Sequence, residues 1–571
     1  MGFNQTINRI LIPSLTIFAA CLLCIDTSSG LYFHCLTASL LTSFIISFPT
    51  AYIPQPFRSF LQCIIGEFFL AICFVDCYCQ NLFGAPITPQ ILSNFLLSDV
   101  REVHEFISTF IGFHLLSYWR ITALLLLCLI LPIFLLVSPT LSKQYKLRDK
   151  VCMIILAICI ACEILPSYRF IQLFCQNRNL QYMEGLIFRH YHEEIPTPLH
   201  RFVFAYYSLK QSESVLENIK RTTFSAITDS CSYLSPHVVL VIGESYNKHH
   251  STLYDYHLQT TPLQEKRKDD GELFVFSDAV TPWNITSNVF LDIFSIWEYG
   301  MTEKIENMPL FPILFRRAGY SVNFFSNQYL LKGFRKGATN QAGHFFLADM
   351  EMSDSLFSFR NRKSSKYDLG LVEQVKQFKD EHQEQSFTLD IIHLVGQHFD
   401  YSMRCPKTSR VFSTEYYLDK NIDDDAKKIV MQYDNATHYN DIVLDSILTL
   451  YEHENAIVLF VADHGEEVYD ELPIHGRLFQ EPTAIQAKNE FEVPMWIWYS
   501  RNYKENHPEI ITAISSSTSK AFSTDGIPQI LLHLAGIENI WTDDTRNLLS
   551  PHYQPKQRII AGNVDYDYLT K

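Results

Sequence analysis

V-V-L-V-I-G-E-S, residues 238–245, and I-V-L-F-V-A-D-H-G-E-E, residues 457–467, decide the fold of this chain. Each is a continuous run of β-branched, aliphatic and aromatic residues that stops abruptly at acidic and imidazole groups. A run of this length, apolar on both faces, reads as a strand buried in a parallel sheet. Ligands of such sheets bind in the crevice beyond the carboxyl ends of the strands. Glu244, Asp463 and His464 therefore stand where a metal ion would sit. Two carboxylates and an imidazole suit Zn²⁺ and leave a coordination position open for a nucleophile.

Working outward, strands are expected at 237–242, 273–278, 320–326, 387–394, 456–462 and 493–499, with helical patterns at 368–380, 428–452 and 525–536. This alternation implies an α/β domain with a largely parallel sheet over residues 236–571. Three more features follow these strands. F-S-D-A-V-T-P-W-N-I-T-S-N-V-F, 276–290, offers the hydroxyls of Thr281, Thr286 and Ser287 for a covalent intermediate. A threonine hydroxyl is a weak nucleophile at neutral pH, and coordination to a divalent metal is one way to activate it. I-I-H-L-V-G-Q-H-F-D, 391–400, sets His393 and His398 about Gly396, a pair suited to a second metal or a phosphoryl oxygen. In D-H-G-E-E-V-Y-D-E-L-P-I-H-G-R, His475 returns after His464 at the spacing of a loop that leaves the site and re-enters it.

The chain has 571 residues, too many for one ordinary domain. Its net charge is −15 with no basic block, a balance that excludes nucleic acid as a partner, because phosphate contacts need clustered Lys and Arg. The first 170 residues are rich in Leu, Ile, Phe and Cys and poor in charge. Twelve of the 14 cysteines lie at or before Cys175, which leaves Cys231 and Cys405 for the rest. In apolar helices cysteine is chiefly a small packing residue, and one remaining pair makes no disulfide framework.

Five segments are long and apolar enough to span a bilayer, near 9–26, 31–54, 59–79, 117–139 and 151–173. The basic loop 140–150, with Lys143, Lys146, Arg148 and Lys150, is expected in the cytoplasm with Arg58 and Arg9. Five spans from an inside N-terminus export residues 175–571. The 80–116 loop shares that side, and residues 174–235 form an amphipathic connector with a helix from about Leu199 to Arg221.

Together these motifs resemble the membrane-bound phosphoethanolamine transferases, in the sulfatase-like branch of the alkaline phosphatase superfamily. G-E-S-Y-N-K-H-H-S-T-L-Y-D-Y (243–256), F-S-D-A-V-T-P-W-N-I-T-S, H-L-V-G-Q-H, D-H-G-E-E, I-H-G, V-P-M-W-I-W-Y-S (493–500) and D-G-I-P-Q-I-L-L-H-L-A-G (525–536) follow in the family's order. Five spans before one exported catalytic domain is also the family's layout. The resemblance implies one tightly bound Zn²⁺ on Glu244, Thr286, Asp463 and His464, with Thr286 as nucleophile. It implies that His393, His398 and His475 bind the phosphoryl group or a second, weaker zinc, and that Lys332 contacts the phosphate, with Arg335 and Lys336 as competitors. The cysteines that flank the nucleophile in well-known members are absent; Pro282 and Leu291 or Asp292 stand there, and no proline follows Thr286.

The implied reaction moves phosphoethanolamine from phosphatidylethanolamine to a surface glycolipid such as lipid A or the lipopolysaccharide core. It would be catalysed by a monomer in the bacterial inner membrane with its catalytic domain in the periplasm. Rival readings are a glycerophosphate transferase or phosphodiesterase of the same superfamily, and a non-catalytic membrane sensor. A true sulfatase is disfavoured, because C-P-K-T-S-R at 405–410 has the wrong spacing for a formylglycine motif.

Overall fold

The computed structural model describes residues 3–25, 32–54, 57–83, 86–88, 91–92, 118–137, 195–328, 345–478 and 481–571, with a few positions between 154 and 161. Two compact units emerge: Met1–Gln211 with Leu478–Glu481, and Ser212–Arg477 with Pro482–Lys571.

In the first unit the apolar runs form helices α1 (Phe3–Leu23), α2 (Tyr32–Ser47), α3 (Phe57–Phe83) and α4 (Trp119–Val137). Two stretches, Tyr32–Tyr52 and Phe57–Phe83, are long and apolar enough to cross a membrane, while Ile10–Leu23 and Trp119–Ile133 are shorter apolar helices. The expected span at 151–173 and most of the 80–116 loop lie outside the described residues. Cys21, Cys24, Cys73 and Cys77 pack into the apolar core of this unit and are unpaired. Asp76 of α3 is fully buried against Arg201, on the helix α5 (Pro198–Ser225), and it also accepts from Gln80 and the Ile87 N–H. The guanidinium completes the arrangement by donating to the carbonyls of Ile195 and Pro196. A buried ion pair holds only when its remaining donors and acceptors are met in this way.

All six expected strands of the second unit form, and they lie in one sheet. They are β1 (His237–Gly243), β2 (Leu273–Phe276), β3 (Ser321–Ser326), β5 (Thr388–His393), β6 (Ala456–Ala462) and β7 (Met495–Tyr499), with a two-residue edge strand β4 (Phe359–Arg360) added. The order among the described residues is β2-β7-β6-β1-β5-β3-β4. β1 is parallel to both neighbours, β5 and β6, and only β7 runs against the rest. The central position of β1 explains its lack of alternation: Val238 to Ile242 are buried on both faces. Each large side chain so buried contributes about 1.5–3 kcal/mol.

Register then sets the site. Gly243 pairs with Ala462 and Ile242 with His393, so Glu244, Asp463 and His393 reach one rim together. Ser326 also pairs with His393, which brings the residues after β3 to the same rim. Behind it stands the longest helix of this unit among the described residues, α7 (Asp424–Tyr451), started by Asp423, whose carboxylate caps the Ala426 N–H.

Candidate active site

Glu244 leaves β1 fully buried, and the next residue turns the chain. Ser245 adopts the left-handed conformation, φ 54°, at a cost of about 1–2 kcal/mol for a residue with a Cβ. The turn puts all three of its polar groups to use. Its N–H donates to Asp463 Oδ1 (3.0 Å), its Oγ donates to Glu244 Oε1 (2.8 Å), and its carbonyl accepts from the Tyr433 hydroxyl (2.6 Å). Gly396 closes against Glu244 from the other side. At its φ of +46° a Cβ would lie 2.8 Å from the Glu244 carbonyl oxygen, so the approach requires glycine.

Asp463 and His464 follow β6. Asp463 Oδ1 takes the Ser245 and His464 N–H groups, whereas its buried Oδ2 has no hydrogen-bond donor among the described residues. His464 Nδ1 is 2.8 Å from the Gly465 carbonyl. That bond needs a proton on Nδ1 and leaves the lone pair on Nε2, which lies 3.2 Å from Asp463 Oδ2 and 3.4 Å from Glu244 Oε1. One ligand atom from each of the three residues falls within 4.8 Å of the others.

A buried carboxylate oxygen without a donor is costly unless a positive charge meets it. Two carboxylates converging with an imidazole lone pair fit a divalent cation of the Zn²⁺ type. The charges agree. Burial, with the Glu244 charge beside it, pushes Asp463 well above the usual carboxylate range. Burial works on Glu244 in the same sense, but His464, His398 and Arg477 hold it well below that range. Burial and Arg477 bring His464 down to about 4, so its ring is neutral, the form a ligand needs.

Thr286 begins the helix α6 (Thr286–Phe294). Its Oγ1 stands 3.3 Å from Glu244 Oε2, 3.4 Å from Oε1 and 3.3 Å from His464 Nε2. Among the described residues no side chain caps this helix start, so the positive end of its dipole faces an anion at Thr286. Thr281 is elsewhere: its hydroxyl is buried without a partner among the described residues, and its N–H donates to the Phe491 carbonyl. Of these two threonines, Thr286 is the one that lies against Glu244 and His464.

A sulfatase family model matches residues 236–537, more than half of the chain. The chain belongs to the sulfatase family. Among curated proteins it is similar to the phosphoethanolamine transferase EptC of Escherichia coli, 25% identical over 65% of this chain and 64% of that protein. It is also 29% identical to the phosphoethanolamine transferase EptA of Helicobacter pylori, over 48% of this chain and 50% of that one. The chain thus matches under two thirds of these relatives' lengths. Two solved structures share the fold. The integral membrane protein lipooligosaccharide phosphoethanolamine transferase A of Neisseria meningitidis superposes over 95% of this chain and 99% of its own, with a TM-score of 0.60 at 17% identity. The zinc complex of the periplasmic domain of E. coli EptC covers 60% of this chain and 98% of its own, with a TM-score of 0.51 at 23% identity.

The remaining sequence candidates of this sulfatase-family site are arranged unevenly. His393 ends β5, fully buried; its Nδ1 is 3.1 Å from Ser326 Oγ and its ring packs on Phe290. Burial takes it down to about 4. His398 holds the Phe399 carbonyl through Nδ1 (2.7 Å), and burial lowers it from the ordinary imidazole value. His475 stands beside the Tyr469 hydroxyl (3.2 Å) and the Tyr401 ring. Lys332, with Arg335 and Lys336, lies outside the described residues.

Two residues that motif reading passed over sit at the centre. Gln328, just beyond β3, donates to Glu244 Oε2 (3.1 Å) and the Leu394 carbonyl (2.8 Å), and its amide is 3.4 Å from His393 Nε2. A neutral amide after a strand carries no signal in sequence. Arg477 Nη1 donates to His464 Nε2 (2.6 Å) and to the Asn284 carbonyl (3.0 Å). Its only cue was its place after His475-Gly476.

A second buried cluster lies behind the first. His250 Nδ1 contacts Asp434 Oδ1 (2.5 Å) and its Nε2 contacts Asp470 Oδ2 (3.0 Å). Asp434 Oδ2 also accepts from the hydroxyls of Tyr256 and Tyr417, and Asp470 Oδ1 from Lys420 Nζ. Burial would lower His250, but Asp470 and Asp434 raise it to about 10. It is an imidazolium.

Proposed function

We propose that this sulfatase-family protein is a zinc-dependent phosphoethanolamine transferase that acts through a covalent adduct on Thr286. The donor is phosphatidylethanolamine and the acceptor a surface glycolipid such as lipid A or the lipopolysaccharide core. The observation that carries the reading is Thr286 Oγ1 in reach of both Glu244 oxygens and of His464 Nε2 at the start of a helix. The names of the relatives supply the group transferred.

Held by Glu244, Asp463, His464 and the Thr286 hydroxyl, Zn²⁺ would supply a Lewis acid that favours the threonine alkoxide at neutral pH. Thr286 Oγ1 attacks the donor phosphorus, the bond from phosphorus to the diacylglycerol oxygen breaks, and that oxygen gains the proton the threonine gives up. Phosphoethanolamine stays esterified to Thr286. The positive end of the α6 dipole favours the charge on its phosphoryl oxygens. His393, His398 and His475 bind the phosphoryl group or a second zinc, and Lys332 adds a phosphate contact. A hydroxyl or phosphate of the acceptor then attacks the same phosphorus and releases Thr286. A lipid donor accords with five spans ahead of a catalytic domain in the periplasm, in a monomer of the inner membrane.

Mass spectrometry of surface lipids from cells expressing wild type or Thr286→Ala tests this. A phosphoethanolamine increment is expected with wild type alone. The same increment from both would exclude Thr286, and free phosphoethanolamine without a modified lipid would make the protein a hydrolase.

A further inference from the structure

We propose that Arg477 is a further catalytic residue, a guanidinium that binds the phosphoryl oxygens of the group passing through Thr286. This rests on the transfer reading above and adds to it a residue that the motifs do not name.

Arg477 reaches the site because Gly476 takes a φ of +102° and pairs with Glu467, which returns the loop to the strand ends. Its Nη1 then makes two bonds, to the Asn284 carbonyl and to His464 Nε2. Asn284 lies two residues before Thr286, and its own amide is tied to Glu490 Oε2 (2.6 Å). The guanidinium is thus anchored to the loop that presents the nucleophile, on a part held from behind.

The bonding pattern separates two roles. An arginine kept only to balance the carboxylates would bond them, and Glu244, Asp463 and Glu466 are all near enough to feel its charge. Both hydrogen bonds of Arg477 go instead to neutral acceptors. Nε and Nη2 bond no acceptor among the described residues, and the side chain is only half-buried. Once the Nε2 lone pair of His464 is given to a cation, Nη1 loses that acceptor as well. What remains is a planar fork of donors held by one backbone carbonyl beside Thr286 Oγ1. Such a fork matches two oxygens of a phosphoryl group, and a lysine at the same place would offer the charge without the geometry.

The test uses full-length protein in detergent, with and without zinc. Binding of inorganic phosphate to the zinc-loaded protein is measured by calorimetry, and zinc affinity by competition with a chromophoric chelator. For Arg477→Gln, phosphate should bind about ten- to a hundredfold more weakly, the loss expected for a charge-assisted hydrogen bond or two. Zinc should bind at least as tightly, because a positive charge has left the ligands. Arg477→Lys should recover part of the phosphate affinity. Unchanged phosphate binding in Arg477→Gln overturns the proposal. So does a parallel loss of zinc and phosphate, which would make Arg477 a structural support. Cleavage of a chromogenic phosphoethanolamine ester by wild type is followed separately. If wild type never cleaves it while the phosphate results stand, the transfer reading fails and the anion site remains.

Discussion

The second unit holds two clusters made from the same three groups, one imidazole and two carboxylates. Around His250 each polar side-chain atom has a partner: both ring nitrogens meet a carboxylate, and two tyrosines and a lysine donate to Asp434 and Asp470. Around His464 the matching is left incomplete. Nδ1 goes to a backbone carbonyl, Nε2 meets only the Arg477 guanidinium and the Thr286 hydroxyl rather than a carboxylate hydrogen bond, and Asp463 Oδ2 has no donor among the described residues. Composition therefore does not separate a strut from a metal site. Saturation does, because a satisfied charge network rigidifies whereas an unsatisfied one calls for a ligand.

The largest effect should come from Thr286→Ala, which removes the proposed nucleophile and keeps the three other proposed zinc donors. Transfer should fall at least about a thousandfold, with zinc stoichiometry unchanged in the purified protein. Retained transfer would break the assignment of the incomplete cluster. Next is Asp434→Asn in the saturated cluster, which leaves His250 short of a partner. It should cost about 3–5 kcal/mol of stability, read as a lowered unfolding midpoint, without altering zinc affinity. Asp463→Asn should do the converse. Zinc affinity should drop more than about a hundredfold, beyond the loss seen when a supporting partner is removed, and the metal-free protein should be no less stable, since a buried like-charge contact is relieved. If both aspartates gave the same phenotype, the distinction would be lost.

The smallest effect is a slope. The folded pKa of His250 is raised from 6.5 to about 10, so its stabilisation is complete below the unfolded value and is lost as pH rises through that window. Stability of wild type should decline between about pH 7 and about pH 10 with a slope approaching about 1.4 kcal/mol per pH unit. His250→Asn should lack that contribution, and melting curves across the range would reveal a parallel decline if the imidazolium assignment were wrong.

Much of this was legible in the chain. Runs such as 238–242 and 457–461 are apolar on both faces because each strand is covered on both sides, and that pattern survives in one dimension. The direction of Met495–Tyr499 did not, since burial is the same whichever way a strand runs. Phe359–Arg360 is too short to hold a period. Glu244, Asp463, His464 and Thr286 were readable because they end or follow strongly patterned elements. Gln328 and Arg477 act through register and a returning loop, which only the folded chain defines. His250 was legible as part of the 243–256 block, but its charge depends on Asp434 and Asp470, each more than 180 positions away.

The reversed strand β7 has a consequence for how the rim is supplied. A parallel strand can hand a site only the residues that come after it, whereas a reversed neighbour delivers those that come before. The segment entering β7 duly lines the rim: Gly465 donates to the Glu490 carbonyl, Asn489 holds Glu467, Glu490 receives Asn284, and the Pro494 carbonyl accepts from Ala462. Incoming chain and outgoing chain meet there from opposite directions, like the two halves of a clasp. Loops ahead of residue 484 can thus lengthen or change composition and restyle the doorway, while the strands that carry Glu244, Asp463 and His464 keep their alignment.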